Sequence, residues 1–482
     1  MSQPRRQSRS IDPHAPPASG GGKLHVVTFG CQMNKYDSEL VEGRFRGRGW
    51  STTSEPGEAD LVLFNTCSVR EHAEERVWSW LGELKRARES RPELVVGVMG
   101  CMAQRVEEEI FRRAGHVDLV VGTRAFHRIP DLVEEIRERR ASGAAAQRVA
   151  ALEMDTRPDL PRDGEQWTGG REGFLAVMRG CDLSCTFCIV PTVRGRVLSR
   201  PIAEVVGEAR WMVEQGAKVV TLLGQTVNSY GEDLPTPGPG EPRLLGRQGR
   251  PGLADLLVAL QEIQGLERIR LITLHPAYVT DALARAIAEC HKVERFLPLP
   301  AQSGSDAILR AMKRGYTTDL YRRKAELLRE HVTDIELGSD WIVGFPGESD
   351  GDFEASERFL AEQGFAVSYV FQYDPRPGTK AEELADDVPR EVKRERNNRL
   401  LRAGERSGLR RMQAQLGRTL RVLAESVNER RPGHLKGRSQ HGLTVTFPGD
   451  AELLGSVVDV VAEDASAYGL SGRRVESPAA TS

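Results

Sequence analysis

Three cysteines within eight residues are the chemically most informative feature of the sequence. Cys181, Cys185 and Cys188 lie in RGCDLSCTFCIVP with the spacing C-x3-C-x2-C. Three thiolates on one short loop can converge on a metal centre, but a closed tetrahedral zinc site takes four ligands. A 4Fe-4S cube held by three cysteines keeps one iron open for a substrate. The spacing therefore favours such a cluster, and the alternative is a zinc site completed by a distant His.

Three further cysteines are dispersed in sequence but occupy equivalent places. Cys31, Cys67 and Cys101 each follow a short apolar run that predicts a parallel strand. Parallel strands bring their carboxyl ends to one edge of a sheet, where doubly wound folds bind ligands. The functional interpretation is a second three-thiolate cluster. The alternative is three independent buried cysteines, which pack as small hydrophobes, and this is the interpretation we prefer for Cys290 in a helical stretch.

The first part of the chain alternates strand-like and helical patterns over residues 24–140. This alternation predicts an α/β domain with a doubly wound parallel sheet covered by helices. Residues 1–23 are rich in Pro, Ser, Gly and Arg and predict a disordered tail. Residues 141–166 show no sustained period and predict a linker.

The central part resumes the alternation and is predicted to extend over residues 167–404. Six strand candidates follow one another, at 174–178, 218–224, 268–273, 295–300, 334–344 and 368–373. Six units are too few for a closed eight-fold barrel and predict a partial, six-unit β/α barrel. The cysteine loop follows the first strand, at the end where barrel enzymes carry their chemistry. The Pro- and Gly-rich stretch 231–252 predicts a surface loop.

The last part changes to a strand-like period after an Arg-rich helix at about 390–413. Five short β runs within 408–475 predict a small antiparallel barrel. Between Arg390 and Arg438 there are fifteen Lys or Arg and five Asp or Glu. This excess indicates contact with a polyanion. The alternative is the solvated face of an Arg-rich helix.

Composition limits the class of protein. The chain has 482 residues, a formal net charge of -2 and 39% hydrophobic residues, as in a soluble globular protein. No stretch reaches the roughly 20 apolar residues of a bilayer span, and the beginning lacks the apolar run of a signal peptide. Seven cysteines are too few for a disulfide scaffold. We therefore expect a cytoplasmic protein without membrane contact, and nothing demands more than a monomer.

Several motifs together resemble one family. The C-x3-C-x2-C loop carries an aromatic residue, Phe187, before its last cysteine. In this it resembles the radical S-adenosylmethionine (AdoMet) superfamily. With three dispersed cysteines before the loop and a small β barrel after it, the chain resembles the methylthiotransferases over roughly residues 24–475. The stretches that carry the resemblance are TFGCQMNKYDSE, NTCSVR, GCMAQR, LLGQTVNSYG, LPLPAQSGSD, DWIVGFPGE and RPGTKA. GCQMN with DSE resembles the branch that modifies tRNA bearing dimethylallyl-adenosine, and the terminal barrel resembles the RNA-binding TRAM module.

The resemblance implies a reaction and its cofactors. Cys181, Cys185 and Cys188 would hold a 4Fe-4S cluster that binds AdoMet, and Cys31, Cys67 and Cys101 would hold an auxiliary 4Fe-4S cluster that supplies sulfur. The product would be N6-dimethylallyladenosine methylthiolated at carbon 2, next to the anticodon. The implied partners are that tRNA and a small electron donor of the flavodoxin or ferredoxin type. Alternatives are an acceptor in a ribosomal protein or in threonylcarbamoyl-adenosine tRNA, and a zinc-stabilised RNA-binding protein without catalysis.

The resemblance also assigns cofactor contacts beyond the cysteines. Phe187 would touch the adenine of AdoMet, Gly224 and Gln225 its amino group, and Gln302 and Ser303 its ribose. For each of these residues the alternative is a role in forming a turn. No catalytic residue beyond the cluster cysteines is implied.

A few residues remain outside those assignments. His275 is expected to be structural, and Gly344 to Glu348 either packs near the cofactor or forms a turn into the next helix. Two residues depart from the family pattern: Val197 stands where an acidic residue is usual, which removes a polar contact near AdoMet, and Thr226 stands where Asn is usual. Neither departure is expected to touch a cysteine.

Overall fold

The computed structural model describes residues 21–68, 71–144, 148–154, 169–238 and 243–475. Residues 1–20 of the predicted disordered tail lie outside the described residues. Lys23, the last residue of the predicted tail, begins the first strand. Within the described ranges, no helix is long and apolar enough to cross a bilayer. The described residues fall into two units, one of residues 21–30 and 37–153 and the other of 31–36, 154 and 169–475.

The first unit is built around a six-stranded parallel sheet of order β2-β1-β3-β4-β5-β6. Its strands are β1 Lys23–Thr28, β2 Ser51–Thr52, β3 Leu61–Thr66, β4 Val95–Gly100, β5 Leu119–Val121 and β6 Val149–Ala151. The helices between them are α1 Gln32–Arg46, α2 Glu71–Ser90, α3 Cys101–Arg105, α4 Glu107–Arg113 and α5 Ile129–Ala141. Order 2-1-3-4-5 is a doubly wound order whose switch point lies between β1 and β3. The predicted doubly wound sheet is therefore confirmed.

The central strands explain why this sheet has two covered faces. Every residue of β3 and β4 is buried, as continuous Val- and Leu-rich runs require in a parallel sheet. One apolar cluster joins Val41 and Phe45 of α1 to residues of α5. A second cluster joins residues of α2, α3 and α4 to the other face. The cores therefore fix β3 and β4 between two helical layers.

Two edge strands were missed in the sequence. Strand β2 is only two residues long, and β6 lies inside the stretch expected to be a linker. The start of the predicted linker is wrong, because Val149 and Ala151 pair with β5. Such short edge strands are defined by backbone pairing with a neighbour, so they carry almost no periodicity of their own.

The second unit contains the six expected barrel strands, in parallel pairs within two three-stranded sheets. They are β7 Glu172–Ala176, β10 Val219–Leu223, β11 Arg268–Leu271, β12 Phe296–Pro298, β13 Glu336–Val343 and β14 Val367–Gln372. A parallel bridge between Ile269 and Val293 joins the two sheets. Between β7 and β10 lies a small antiparallel pair, β8 Met178–Arg179 with β9 Leu198–Ser199. The helices are α6 Val190–Arg194, α7 Ile202–Glu214, α8 Leu253–Gln261, α9 Asp281–Glu289, α10 Asp306–Ala311, α11 Thr318–His331 and α12 Asp350–Gln363.

The C-terminal strands of the same unit close into a five-stranded barrel of order β15-β16-β17-β19-β18. They are β15 Thr419–Val427, β16 His434–Ser439, β17 Thr444–Pro448, β18 Val457–Ser466 and β19 Gly469–Arg474. Four ladders are antiparallel and the ladder of β17 with β19 is parallel. The Arg-rich helix α13, Arg390–Gln413, precedes the barrel. The boundary expected between 404 and 408 falls inside α13, whose residues Gly404 and Gly408 approach Ser368 and Ala366.

A buried charge network attaches the terminal barrel to the partial barrel. Arg270 on β11 donates to Glu294 at 2.8 Å and to Glu172 at 2.9 Å. It also donates to Glu425 on β15. The Arg270 guanidinium thus contacts three carboxylates. Glu172 lies on β7 of the partial barrel, Glu425 lies on β15 of the terminal barrel, and Glu294 lies between β11 and β12.

We expect Arg270→Ala to destabilise the full chain by about 3–5 kcal/mol, because it leaves buried carboxylates without their cation. Urea unfolding followed by circular dichroism measures the change. Arg285→Ala is the control, since Arg285 is exposed and pairs only with a neighbour on α9. Equal unfolding midpoints for the two variants would show that the network does not stabilise the barrel.

Candidate functional site

The cysteine loop spans the connection between β8 and β9. Strand pairing holds the two ends of the loop together: Met178 pairs with Ser199, and Arg179 pairs with Leu198. Within the loop, Cys181 N donates to the Gly195 carbonyl at 3.1 Å. Gly180 has a φ of 75°, and a Cβ there would lie 2.0 Å from the Arg196 carbonyl oxygen. The loop therefore closes only with glycine at this position, and it presents its three thiols from one short segment.

Of the three cysteines of the loop, Cys181 is buried and Cys185 and Cys188 are half-buried. Burial raises the pKa of Cys188 to about 12, against the opposing hydrogen bond from the Val190 backbone. Burial also raises the pKa of Cys181, opposed by the Thr226 hydroxyl and the Leu183 backbone. Thiolates bind metal, and a bound metal takes the place of the proton. The donor set of three thiols on one short loop therefore fits an iron–sulfur cluster.

Arg314 contacts this loop from the turn after α10. Its Nη1 donates to Cys185 Sγ at 3.2 Å, and its Nε donates to Tyr316 Oη at 3.4 Å. Burial alone would lower the pKa of Arg314, but Tyr316 and Cys185 raise it above its ordinary value. The guanidinium is therefore a buried cation beside one of the three sulfurs.

Thr226 also contacts the loop, contrary to expectation. Its Oγ1 lies 3.5 Å from Cys181 Sγ, and the residue is buried. The expectation that neither family departure touches a cysteine is wrong, because the turn after β10 places Thr226 beside the loop. Val197, the other departure, donates its backbone N–H to Asp182 Oδ1 at 3.1 Å.

Two glutamines at the carboxyl ends of strands carry buried oxygens. Gln225 follows β10 and Gln302 follows β12, and the Oε1 atom of each has no hydrogen-bond partner among the described residues. Gln302 has a φ of 64°, rare for a residue with a side chain, and forms a parallel bridge with Trp341. Unsatisfied buried acceptors and strained backbone mark functional sites. Both oxygens are suited to accept from a bound ligand.

The other residues expected to bind AdoMet have structural contacts. Phe187 packs against an apolar cluster that includes Met312 and Phe345. Ser303 Oγ accepts from the Ser305 backbone at 3.1 Å, so its hydroxyl serves the turn before α10. The Gly224 carbonyl accepts from Thr273 Oγ1 at 2.7 Å. These contacts favour turn formation for Ser303 and Gly224, without testing a cofactor role.

His275 and the segment Gly344 to Glu348 make contacts typical of turns in this fold. His275 accepts from the Ala277 backbone at 3.3 Å, and burial followed by Arg314 lowers its pKa to about 3. Glu348 accepts from the Gly344 N–H at 2.6 Å and from Arg396 at 2.8 Å. The segment thus forms the turn that leads into α12.

The dispersed cysteines follow the carboxyl ends of the sheet in the first unit. Thr66 of β3 and Gly100 of β4 are register partners, so Cys67 and Cys101 follow adjacent paired residues. Both cysteines are buried. Gly100 has a φ of 98°, and a Cβ there would lie 2.6 Å from the Thr66 carbonyl oxygen. Cys67 and Cys101 thus follow the ends of two neighbouring strands, whereas the buried Cys290 follows α9.

Cys31 is exposed and belongs with the second unit. It lies just before α1, three residues after the end of β1. In the same unit, Asn34 Oδ1 accepts from Arg194 Nη2 at 2.9 Å, and the Arg179 guanidinium lies 5.5 Å from the centre of the Tyr36 ring. The start of α1 is therefore attached to the elements that flank the cysteine loop.

The described residues contain no group of three His, Cys, Asp or Glu side chains close enough to hold a single metal ion. Ligands of one tetrahedral zinc are about 4 Å apart, given Zn–S bonds of about 2.3 Å. Cysteines that bind separate irons of a cube are spaced more widely.

Three family models match successive parts of the chain. Residues 23–122 match the Uncharacterized protein family UPF0004, residues 175–360 the Radical SAM superfamily, and residues 413–475 the TRAM domain. Among solved structures, the chain is similar to the methyltransferase TsrM from Kitasatospora setae with cobalamin and a [4Fe-4S] cluster bound. The TM-score is 0.54 at 15% identity, over 75% of this chain and 77% of that one. The cobalamin-dependent enzyme OxsB gives a TM-score of 0.50 at 13% identity, over 75% of this chain and 54% of that one, and at such identities the likeness shows the fold alone.

The partial barrel with its cysteine loop defines a radical AdoMet enzyme, a class that uses a 4Fe-4S cluster and AdoMet. Curated relatives are similar over nearly the whole chain. A protein of Bordetella petrii is 42% identical over 94% of this chain and 91% of its own length. One of Rhodopirellula baltica is 40% identical over 93% and 95%. Both are named tRNA-2-methylthio-N(6)-dimethylallyladenosine synthase, and the chain belongs to that family.

Two contacts of the cysteine loop and one surface were not predicted from the sequence. Arg314 lies in no motif, and Thr226 lies in LLGQTVNSYG only as a departure from the family pattern, so the contacts of both with cysteines appear only in the folded chain. Tyr369 and Phe371 alternate along β14 and are exposed. The alternation of aromatic residues is visible in SYVFQY, but the sequence does not show that this strand lies at the edge of its sheet.

Proposed function

We propose that this protein transfers a methylthio group to carbon 2 of N6-dimethylallyladenosine next to the anticodon of tRNA. The observation that carries the proposal is the 42% identity to a relative of that name over 94% of the chain. The three-cysteine loop and the terminal barrel support it, since the family models place a radical AdoMet domain and a TRAM domain there. The ribosomal-protein and threonylcarbamoyl-adenosine alternatives are not favoured by these relatives.

We assign the cluster ligands as the sequence predicts them. Cys181, Cys185 and Cys188 hold the cluster that binds AdoMet, and Cys31, Cys67 and Cys101 hold the auxiliary cluster. When bound, the first cluster with AdoMet would supply the radical chemistry that replaces an unreactive C–H hydrogen. The auxiliary cluster would supply the sulfur that is transferred. No acid-base dyad is needed for such a bond, and no such dyad was predicted.

The residues around the loop bind and orient. Gln225 and Gln302 offer unsatisfied buried oxygens, suited to the amino and hydroxyl groups of AdoMet. Phe187, held against Met312 and Phe345, forms an apolar wall beside the loop. Gly224 and Ser303 shape the turns that position both glutamines.

A pair of aromatic side chains is suited to receive the modified base. Tyr369 and Phe371 are register partners of Asp340 and Ile342, so these four side chains lie on one face of the sheet. Ile342 packs into the apolar cluster that also contacts Phe187. Exposed aromatic rings stack unpaired bases of RNA. Ile342 thus connects this face with the apolar cluster against which Phe187 of the cysteine loop packs.

Mass spectrometry of tRNA nucleosides tests the proposed function. A strain lacking the gene should accumulate dimethylallyladenosine without the methylthio group, and the intact gene should restore the product. If 2-methylthio nucleosides persist in the deletion strain, and no other enzyme makes them, the proposal fails.

The remaining partners are proposed on the same basis. The electron donor is a small flavodoxin- or ferredoxin-type protein, the enzyme acts as a monomer, and it acts in the cytoplasm, where tRNA is modified. Gel filtration of the anaerobic enzyme and reduction assays with each donor type test the first two.

Basic side chains of the terminal barrel are suited to contact phosphate. Arg430 and Arg431 between β15 and β16, and Lys436 on β16, are exposed. None forms an ion pair with a carboxylate among residues that the structure describes. Other members of the basic block are structural, such as Arg396 with Glu348 and Arg411 with Glu336. The alternative of a merely solvated face therefore applies to only part of the block.

We expect the combined variant Arg430→Gln, Arg431→Gln, Lys436→Gln to weaken tRNA binding and to flatten its dependence on salt. Each lost phosphate contact reduces the slope of log K against log[salt] by about 0.7–0.9. Fluorescence anisotropy over a salt series measures the slope. Arg285→Gln with Arg358→Gln is the control, since both residues are exposed outside the block, and an equal loss of slope there would contradict the assignment.

A further inference from the structure

Arg314 is a buried cation whose charge is not balanced by a carboxylate. Only 7% of the residue is exposed, and among the described residues no Asp or Glu lies within ion-pair distance of it. Arginine is almost never buried unless it is paired, because removing its charge from water is costly. An anion must therefore lie at its guanidinium in the working enzyme.

The backbone aims this guanidinium at one sulfur of the cysteine loop. Lys313 has a φ of 52° and Gly315 a φ of 69°, so a tight turn encloses Arg314. The Arg314 N–H donates to the Leu309 carbonyl at 3.0 Å. Tyr316 Oη, which donates to a backbone carbonyl of Pro300 or Ala301, accepts from Arg314 Nε. A second nitrogen of the guanidinium, Nη1, donates to Cys185 Sγ at 3.2 Å.

A second donor reaches a second sulfur of the loop. Thr226 Oγ1 lies 3.5 Å from Cys181 Sγ. A thiolate only accepts hydrogen bonds, so once the cysteine binds iron the threonine hydroxyl is the donor. The Thr226 carbonyl accepts from Ser229 Oγ at 2.8 Å, which holds the turn in place.

We propose that Arg314 and Thr226 are positioning residues that raise the reduction potential of the cluster held by Cys181, Cys185 and Cys188. The proposal rests on the ligand assignment made above. Hydrogen bonds and positive charge at the sulfurs stabilise the state that carries one more electron. The electron comes from the one-electron donor, and Arg314 and Thr226 make and break no bond. Arg314 contributes more than Thr226, because its charge is fixed in a buried site.

Potentiometric titration of the anaerobic holoenzyme, followed by electron paramagnetic resonance, tests the proposal. The cluster of the loop is identified as the one whose signal changes when AdoMet is added. We expect Arg314→Gln to lower the equilibrium constant for reduction of the cluster about tenfold. For one electron this is a reduction potential lower by about 59 mV. Arg314→Lys should recover part of the shift, because it restores a positive charge.

Thr226 allows a test without change of shape. Thr226→Val replaces the hydroxyl by a methyl group of similar size and should lower the equilibrium constant for reduction about threefold, as for one lost hydrogen bond. Thr226→Ser retains the hydroxyl and should leave the potential near that of the parent enzyme. Arg310→Gln is the control for charge, since Arg310 is exposed at the end of α10.

The outcomes separate this proposal from the proposed function. If the parent enzyme binds no AdoMet-sensitive cluster, the ligand assignment itself fails. If the cluster is present and its potential is the same in all variants, Arg314 and Thr226 do not tune it and the proposal is wrong. An unchanged potential with weaker AdoMet binding in Arg314→Gln would place the arginine at AdoMet and also overturn it. Should Arg314→Gln fail to assemble the cluster, Arg314→Lys and Thr226→Val decide the question.

Discussion

Replacing Cys188 by alanine should halve the iron content and abolish AdoMet cleavage. Two 4Fe-4S clusters give about eight irons per chain, and loss of one thiolate from a three-thiolate loop leaves about four. Cys188 is suited to this test because it is half-buried, as is Cys185, and its replacement by alanine removes one proposed ligand from the loop. Without its cluster the enzyme has no means to pass an electron to AdoMet, so the loss of 5′-deoxyadenosine should be complete within detection.

Iron and sulfide analysis after anaerobic reconstitution, with chromatography of 5′-deoxyadenosine, measures both effects. Cys290→Ala is the matched control: it removes another buried thiol, at the end of α9, and should retain about eight irons. Eight irons in Cys188→Ala, or about four in Cys290→Ala, would contradict the ligand assignment. Zinc in place of iron in the parent enzyme would contradict the whole cofactor assignment.

The cysteine loop and the order of the elements could be predicted because their signals are local. Cys181, Cys185 and Cys188 lie within eight residues, and apolar residues recur in each barrel strand. The meeting of Cys67 and Cys101 could also be predicted, since parallel strands align their carboxyl ends whatever their separation in sequence. The register pairs Thr66 with Gly100, the residues that precede these two cysteines.

The surroundings of the thiols could not be predicted, because they depend on contacts between distant turns. Thr226 is 45 residues from Cys181, and Arg314 is 129 residues from Cys185. The expectation that Thr226 avoids the cysteines failed for this reason: a family comparison by position does not say where a side chain points. Edge strand β6 was missed for a similar reason, since three residues carry no period and only pairing with β5 defines them.

Cys101→Ala should separate the two clusters by uncoupling AdoMet cleavage from sulfur transfer. Cys101 is the first residue of α3, where the contact of Gly100 with Thr66 fixes it beside the end of β3. Its loss should leave about four irons, all at the radical loop, so that AdoMet is still cleaved to 5′-deoxyadenosine. Methylthiolated nucleoside should fall below detection, because the sulfur donor is missing.

Quantifying 5′-deoxyadenosine and methylthiolated nucleoside in the same reaction measures this uncoupling. Cys67→Ala should give the same phenotype, since Cys67 follows the register partner of Gly100. Met102→Leu, a buried volume-conserving change at the next residue of α3, is the control for disturbance of the helix and should keep both products. If Cys101→Ala still forms methylthiolated nucleoside, the dispersed cysteines do not supply the sulfur. If it loses AdoMet cleavage as well while Met102→Leu does not, the radical chemistry depends on the cluster of the dispersed cysteines, and the division of labour between the two cysteine sets is wrong.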